Sequence, residues 1–151
     1  MVIFKRSSRV LLAAGLCLLA AACGESQPSA PILPSAPFST TDITVGTGTE
    51  AAAGRRLTVH YTGWIYDPLQ PQSKGRQFDS SANRDPISFV LNATPPQVIA
   101  GWEQGFSGMR VGGLRRIIIP PNLAYGSQGA GGGAVPPNAT LVFDVQLVDV
   151  Q

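Results

Sequence analysis

Val98-Ile99-Ala100-Gly101-Trp102-Glu103-Gln104-Gly105-Phe106-Ser107-Gly108-Met109 is the one stretch of the chain with a helical period. Val98, Ile99, Trp102, Phe106 and Met109 follow one another at steps of 1, 3, 4 and 3 residues, which places them on one apolar face. Gly101 and Gly105 weaken the intrinsic helicity of this stretch. Working outward in both directions, the sequence reads as strand. Upstream, Leu57, Val59 and Tyr61 alternate with Thr58, His60 and Thr62, the period of two of a half-buried strand. Ile87, Phe89 and Leu91 alternate with Ser88 and Val90, and Asp42 to Val45 adds a further candidate. Downstream, Leu114 to Ile119 is short, β-branched and stopped by Pro120-Pro121. Near the C-terminus, Leu141, Phe143, Val145 and Leu147 alternate with Asp144 and Gln146. One short helix among short strands argues for an antiparallel α+β domain and against βαβ units.

The chain is 151 residues long, enough for one domain and short for two. Charged residues make up 13%, about half the usual share, and apolar residues 44%. That apolar fraction is too high for a wholly disordered chain, and the charge is too sparse for a coiled coil. The formal net charge of +2 gives no basic excess able to neutralise many phosphates, so no nucleic-acid partner is expected. Two cysteines and one histidine cannot assemble a Cys/His zinc site.

Residues 1–22 read as targeting rather than fold. Lys5, Arg6 and Arg9 precede an apolar run from Val10 to Ala22, 13 residues long and too short to span a bilayer as a helix. Ala20-Ala21-Ala22 then leads into Cys23, which looks like the lipidation site of a bacterial lipoprotein; Leu is usual three residues before such a cysteine, and here Ala20 stands there. The alternative is an ordinary cleaved signal with Cys23 incidental. Removing Lys5, Arg6 and Arg9 from 11 basic residues leaves 8 against 9 acidic ones, a net charge of −1. Cys17 leaves with the leader, so the mature chain has no intrachain disulfide. Residues 23–40 are expected to form a spacer, with Pro28, Pro31, Pro34 and Pro37 at every third residue in the manner of a polyproline II helix. Residues 41–151 form the domain. The expected location is outside the cytoplasm, on the cell envelope. Gly24 rather than Asp after Cys23 favours an outer membrane where one exists.

Several chemistries lack their residues. No Walker loop and no GxSxG elbow occur, and the glycine cluster from Gly126 to Gly133 has no following lysine or helix. The aspartates show no metal-loop spacing. His60 sits on the strand face opposite the apolar one, the place of a solvated or hydrogen-bonded histidine rather than of a general base. The domain is therefore expected to work without a cofactor, metal or covalent nucleophile.

Six blocks, in order, resemble the FKBP-type peptidyl-prolyl cis/trans isomerases. They are Val59-His60-Tyr61-Thr62-Gly63, Phe78-Asp79-Ser80-Ser81, Val98-Ile99-Ala100-Gly101-Trp102-Glu103-Gln104-Gly105, Met109-Arg110-Val111-Gly112-Gly113, Ile119-Pro120-Pro121-Asn122-Leu123-Ala124-Tyr125-Gly126 and Val135-Pro136-Pro137-Asn138-Ala139-Thr140-Leu141-Val142-Phe143-Asp144-Val145. The resemblance implies a bent antiparallel sheet of five to six strands wrapping the one short helix. It implies that Trp102 floors a prolyl pocket and that Tyr61, Phe78, Val98, Ile99 and Phe143 form its walls. Ile87 is a further wall, aliphatic where the family more often has Phe. Asp79 would sit by the reacting carbonyl, and Tyr125 and the Ile99 N–H would donate to the substrate. Taken alone, each aromatic is also explained by core packing, and Asp79-Ser80-Ser81 by turn chemistry.

The activity so implied needs no proton transfer, only rotation about an amide, and this accounts for the missing nucleophile. Expected partners are proline-containing polypeptides and macrolide ligands, with the chain a monomer held at a membrane by its lipid. A binding module of little turnover is the competing reading. Two stretches depart from compact members of the family. Tyr66 to Arg76 is longer and is expected to be an exposed loop. Gln128 to Ala134 is nearly all glycine and alanine, and is expected to be a mobile flap contributing little contact area to the pocket.

Overall fold

The computed structural model describes residues 33–151; the leader, Cys23 and the spacer as far as residue 32 lie outside the described residues. Six strands and one helix make up the domain: β1 (Ser39–Thr44), β2 (Arg56–Tyr66), β3 (Lys74–Ser80), β4 (Ile87–Val90), α1 (Ala100–Phe106), β5 (Leu114–Ile119) and β6 (Leu141–Val150). The strands form one sheet in the order β1-β5-β6-β2-β3, with β4 also paired to β2. Every pairing is antiparallel. This is the expected α+β architecture.

The strands follow the alternation. On β2, Leu57 and Val59 are fully buried while Thr58 and His60 are only half-buried. On β6, Phe143, Val145 and Leu147 are buried and Gln146 and Val148 exposed. Val142 departs from the pattern, being buried on the outer face, where its register partners are Trp64 and Ile118. β1 begins at Ser39, inside the stretch read as spacer, and Leu33 and Phe38 already pack against the core.

The helix is shorter than its apolar period. Ile99 is extended (φ −63°, ψ 147°) and caps the helix, so Val98 and Ile99 stand before it and Met109 after it. Gly108, at φ +73°, ends the last turn. The two glycines that weaken the helix are what let it dock. A methyl group at Gly101 would strike the Ile119 side chain, and one at Gly105 the Ile117 side chain. The helix backbone therefore lies directly on β5, and Trp102 and Phe106 turn into the core.

Two loops differ from their expected form. The segment Tyr66 to Arg76 is exposed at Leu69, which is 89% accessible, but it closes through a turn at Pro71–Ser73 and becomes strand from Lys74 onward. The glycine-rich flap has a bonded base. Ala130 and Val135 exchange two backbone hydrogen bonds of 3.0 Å, and the Arg76 Nη2 donates to the Ala134 carbonyl at 2.7 Å.

Candidate active site

The concave side of the sheet and the start of α1 enclose a cavity of about 410 Å³, within the range of small-molecule sites. All nine residues singled out from the sequence line it: Tyr61, Phe78, Asp79, Ile87, Val98, Ile99, Trp102, Tyr125 and Phe143. Pro96 and Gln97 complete the lining. No residue of the glycine-rich flap does.

Register explains the convergence. Tyr61 pairs with Val145, and Gly63 pairs with Phe143 on one side and Asp79 on the other. β2 thus carries β6 and β3 on its two edges and brings Phe143, Phe78 and Asp79 beside Tyr61. Gly63 is required for this. A Cβ there would lie 2.7 Å from the Phe143 ring and 2.7 Å from the Phe78 ring, which meet edge-to-face at 5.6 Å in the space it leaves. Ile87 comes from β4, Val98 and Ile99 from the segment entering the helix, and Tyr125 from the turns after β5.

Trp102, 5% accessible, is the centre of the ring contacts. Its indole meets Tyr61 at 5.1 Å, Phe143 at 5.3 Å, Phe106 at 5.4 Å and Phe89 at 5.8 Å, mostly edge-to-face. Its Nε1 is buried without an acceptor among the described residues, so packing alone holds the ring. The indole belongs to the core on one side and to the cavity on the other.

Asp79 is the one carboxylate in the lining, and three donors hold it. The Tyr61 hydroxyl donates to Oδ2 at 2.5 Å, and Arg84 Nη2 and the Ser80 N–H donate to Oδ1 at 2.6 and 2.8 Å. Burial by itself would raise the Asp79 pKa; the bonds from Tyr61, Arg84 and Ser80 outweigh it and keep the carboxyl below its usual range. Burial and the bond to Asp79 push Tyr61 up to about 12. Tyr125 is also raised, by burial and then by the Asp79 charge. Asp79 is thus an ionised acceptor and both tyrosines are neutral at ordinary pH. Asp79 and Ser80 are the last two residues of β3; the turn chemistry read into Asp79-Ser80-Ser81 begins at Ser81, whose carbonyl accepts the Arg84 N–H at 3.0 Å.

His60 faces away from the cavity on the outer side of β2, its Nδ1 paired with Ser81 Oγ at 3.0 Å, in the bonded structural role expected of it.

An apolar cavity with an aromatic floor, one fixed carboxylate and hydroxyl and N–H donors at its edge matches what an X-Pro site requires. The family model described as FKBP-type peptidyl-prolyl cis-trans isomerase matches residues 47–148. The chain belongs to this family. Among curated proteins, it is 46% identical over 110 residues to an FK506-binding protein of Neisseria meningitidis serogroup A, covering 72% of this chain and 92% of that one. It is 48% identical over 118 residues to an FK506-binding protein of Streptomyces anulatus, covering 78% and 89%. Among solved structures, the FKBP domain aligns with AtFKBP13 at a TM-score of 0.63 and 36% identity, over 76% of this chain and 93% of that one. It aligns with FkpA from Escherichia coli at a TM-score of 0.63 and 36% identity, covering 80% of this chain and 51% of that one. The FKBP domain is therefore a peptidyl-prolyl cis-trans isomerase, with the helix and bent sheet of its structural neighbours.

Pro96 and Gln97 escaped sequence reading because neither belongs to the apolar period that begins at Val98. Their place in the wall follows from the path of the loop, and the only local signal for them was adjacency to Val98.

Proposed function

We propose that this FKBP domain accelerates X-Pro rotation by binding the prolyl ring on Trp102 and stripping water from the amide. The observation that carries this reading is the lining itself. Aromatic and aliphatic side chains surround the cavity, and its one carboxylate is already held by three donors. A planar amide owes its barrier of about 18–20 kcal/mol to resonance, and water favours the charge-separated form that carries it. Removing that water disfavours the planar ground state relative to the twisted transition state. A roughly million-fold acceleration requires lowering the barrier by about 8 kcal/mol.

In this reading Trp102 floors the site, and Tyr61, Phe78, Ile87, Val98, Ile99 and Phe143 exclude solvent. Asp79 lies beside the reacting carbonyl, where its charge opposes negative charge on the amide oxygen and so favours the twisted form. Tyr125 and the Ile99 N–H hold carbonyls of the client chain; no backbone acceptor for that N–H occurs among the described residues. The relatives carry the name FK506-binding protein, and the same cavity is the place for a macrolide of that kind. The flap leaves the rim open, so selectivity for the residue before proline is weak.

The leader and Cys23 support an exported, lipid-anchored enzyme that acts on proteins outside the cytoplasm. It works as a monomer, since one chain supplies the whole lining. Exchange NMR on an Ala-Xaa-Pro peptide series is the primary test: catalysis of similar efficiency across the series is expected, and binding without catalysis would leave only a proline-binding module. FK506 should inhibit competitively. Mass spectrometry of the mature N-terminus should find an acylated Cys23, and light scattering a single-chain mass.

A further inference from the structure

Gln97 stands in the cavity wall between Pro96 and Val98, with no role in the reading above. Its side chain is exposed, yet its amide is oriented, because Oε1 accepts the Val90 N–H at 2.9 Å. Val90 ends β4, the strand that carries Ile87. A side-chain amide has an acceptor end and a donor end, and binding the acceptor to a fixed backbone donor turns the NH₂ group the other way. That Nε2 has no acceptor among the described residues.

Two residues further on, the Ile99 N–H is likewise without a backbone acceptor among the described residues. The backbone at Ile99 is extended, and this wall of the cavity offers two donors, one from the Gln97 side chain and one from the Ile99 backbone. An extended client presents the carbonyls of residues i and i+2 on the same side, roughly 7 Å apart.

We propose that Gln97 is a specificity-determining residue whose Nε2 donates to a backbone carbonyl of the client outside the prolyl ring. The ligand chemistry is a main-chain carbonyl of an extended polypeptide, so Gln97 reads how much chain flanks the proline and is indifferent to side-chain identity. The inference rests on the isomerase reading of this cavity.

The test compares a capped tripeptide with a nonapeptide carrying the same X-Pro bond at its centre. The wild-type domain should show a higher kcat/KM on the nonapeptide. Gln97→Glu keeps an oxygen for the Val90 N–H but removes both donors, while Gln97→Met is neutral and of similar length. Each should cut the nonapeptide-to-tripeptide ratio by about three- to tenfold, the effect of one hydrogen bond, and through KM rather than kcat. Circular dichroism melts of both variants establish that they fold. An unchanged ratio in folded Gln97→Glu and Gln97→Met overturns the assignment to Gln97. Absence of wild-type turnover on both peptides would instead overturn the isomerase reading on which it depends.

Discussion

At the scale of single residues, the site is distinguished by what its ionisable groups do not do. Asp79 is held ionised by Tyr61, Arg84 and the Ser80 N–H, and Tyr61 titrates only at about 12. No lining side chain changes protonation between pH 5 and pH 9 as a consequence. The expected kcat/KM is flat across that window, and a bell-shaped profile would show that a proton moves in the reaction. Asp79→Ala removes the charge proposed to lie beside the carbonyl and leaves the Tyr61 hydroxyl and Arg84 without their acceptor; a fall in kcat of tenfold or more is expected, together with some loss of stability at neutral pH, because the depressed carboxyl also stabilises the fold there. Tyr125 is 36% accessible, so Tyr125→Phe removes one donor at little structural cost. Its kcat/KM should fall by about three- to tenfold, the effect of one lost hydrogen bond. An unchanged rate in Tyr125→Phe would remove the hydroxyl from substrate binding.

At the scale of elements, small residues set the spacing. Gly101 and Gly105 let α1 lie on Ile119 and Ile117, and Gly63 gives room to the rings of Phe78 and Phe143. Gly105→Ala overpacks the helix–sheet contact and should cost about 1–3 kcal/mol in denaturant unfolding. Gly63→Ala pushes against two cavity walls, and should raise KM for proline peptides as well as lower stability. An alanine at Gly63 that left both unchanged would mean the rings have slack the contacts do not suggest. The same elements show what a sequence reveals. Strands β2 and β6 were legible because one face of each is buried and the period of two survives, and β5 because its β-branched run is short and stopped by Pro120-Pro121. The apolar face of α1 was legible too, yet its length was not: Val98, Ile99 and Met109 share the burial of the helix without its backbone. Lys74-Gly75-Arg76-Gln77 has no apolar alternation at all. It is strand because β2 pairs with it through two register shifts, a tertiary cause with no local trace. Eight of the nine cavity residues were found in the family's blocks and Ile87 as a wall position where the family more often has Phe, whereas Pro96 and Gln97 owe their places to the loop alone.

At the scale of the whole molecule, the sheet has two unlike faces, and the outer one holds the strands that build the inner. Neighbouring residues on β6 point to opposite sides, so Phe143 lines the cavity and Asp144 faces out. Lys74 Nζ donates to Asp144 at 2.6 Å, and Arg116 donates to it at 2.8 and 3.0 Å while also reaching Gln72 Oε1 at 2.6 Å. The Lys74 ammonium also sits 4.2 Å from the centre of the Trp64 ring. One carboxylate thus ties β3, β5 and the turn at Pro71–Ser73 to β6. Burial alone would raise the Asp144 pKa, but Arg116 and Lys74 outweigh it and hold the group below its ordinary value of 3.8. A carboxyl depressed in the folded state stabilises the fold fully above its unfolded pKa and loses that contribution as pH falls through the folded value. Asp79 and Asp42 are depressed as well, the latter chiefly by its bond to Arg115, and act with the same sign. Unfolding free energy should therefore hold steady from pH 7 to about pH 5 and decline below pH 4. Asp144→Asn removes the titrating group and should flatten part of that decline. At pH 7 the same variant leaves Lys74 and Arg116 without their counter-charge, for a loss of about 1–3 kcal/mol. Denaturant titrations of the two proteins at pH 7 and pH 3 separate the effects: the gap between them should narrow in acid. A gap that stays constant would place the acid sensitivity elsewhere, in Asp79 or Asp42, and would reduce the outer cluster to a pH-independent contact.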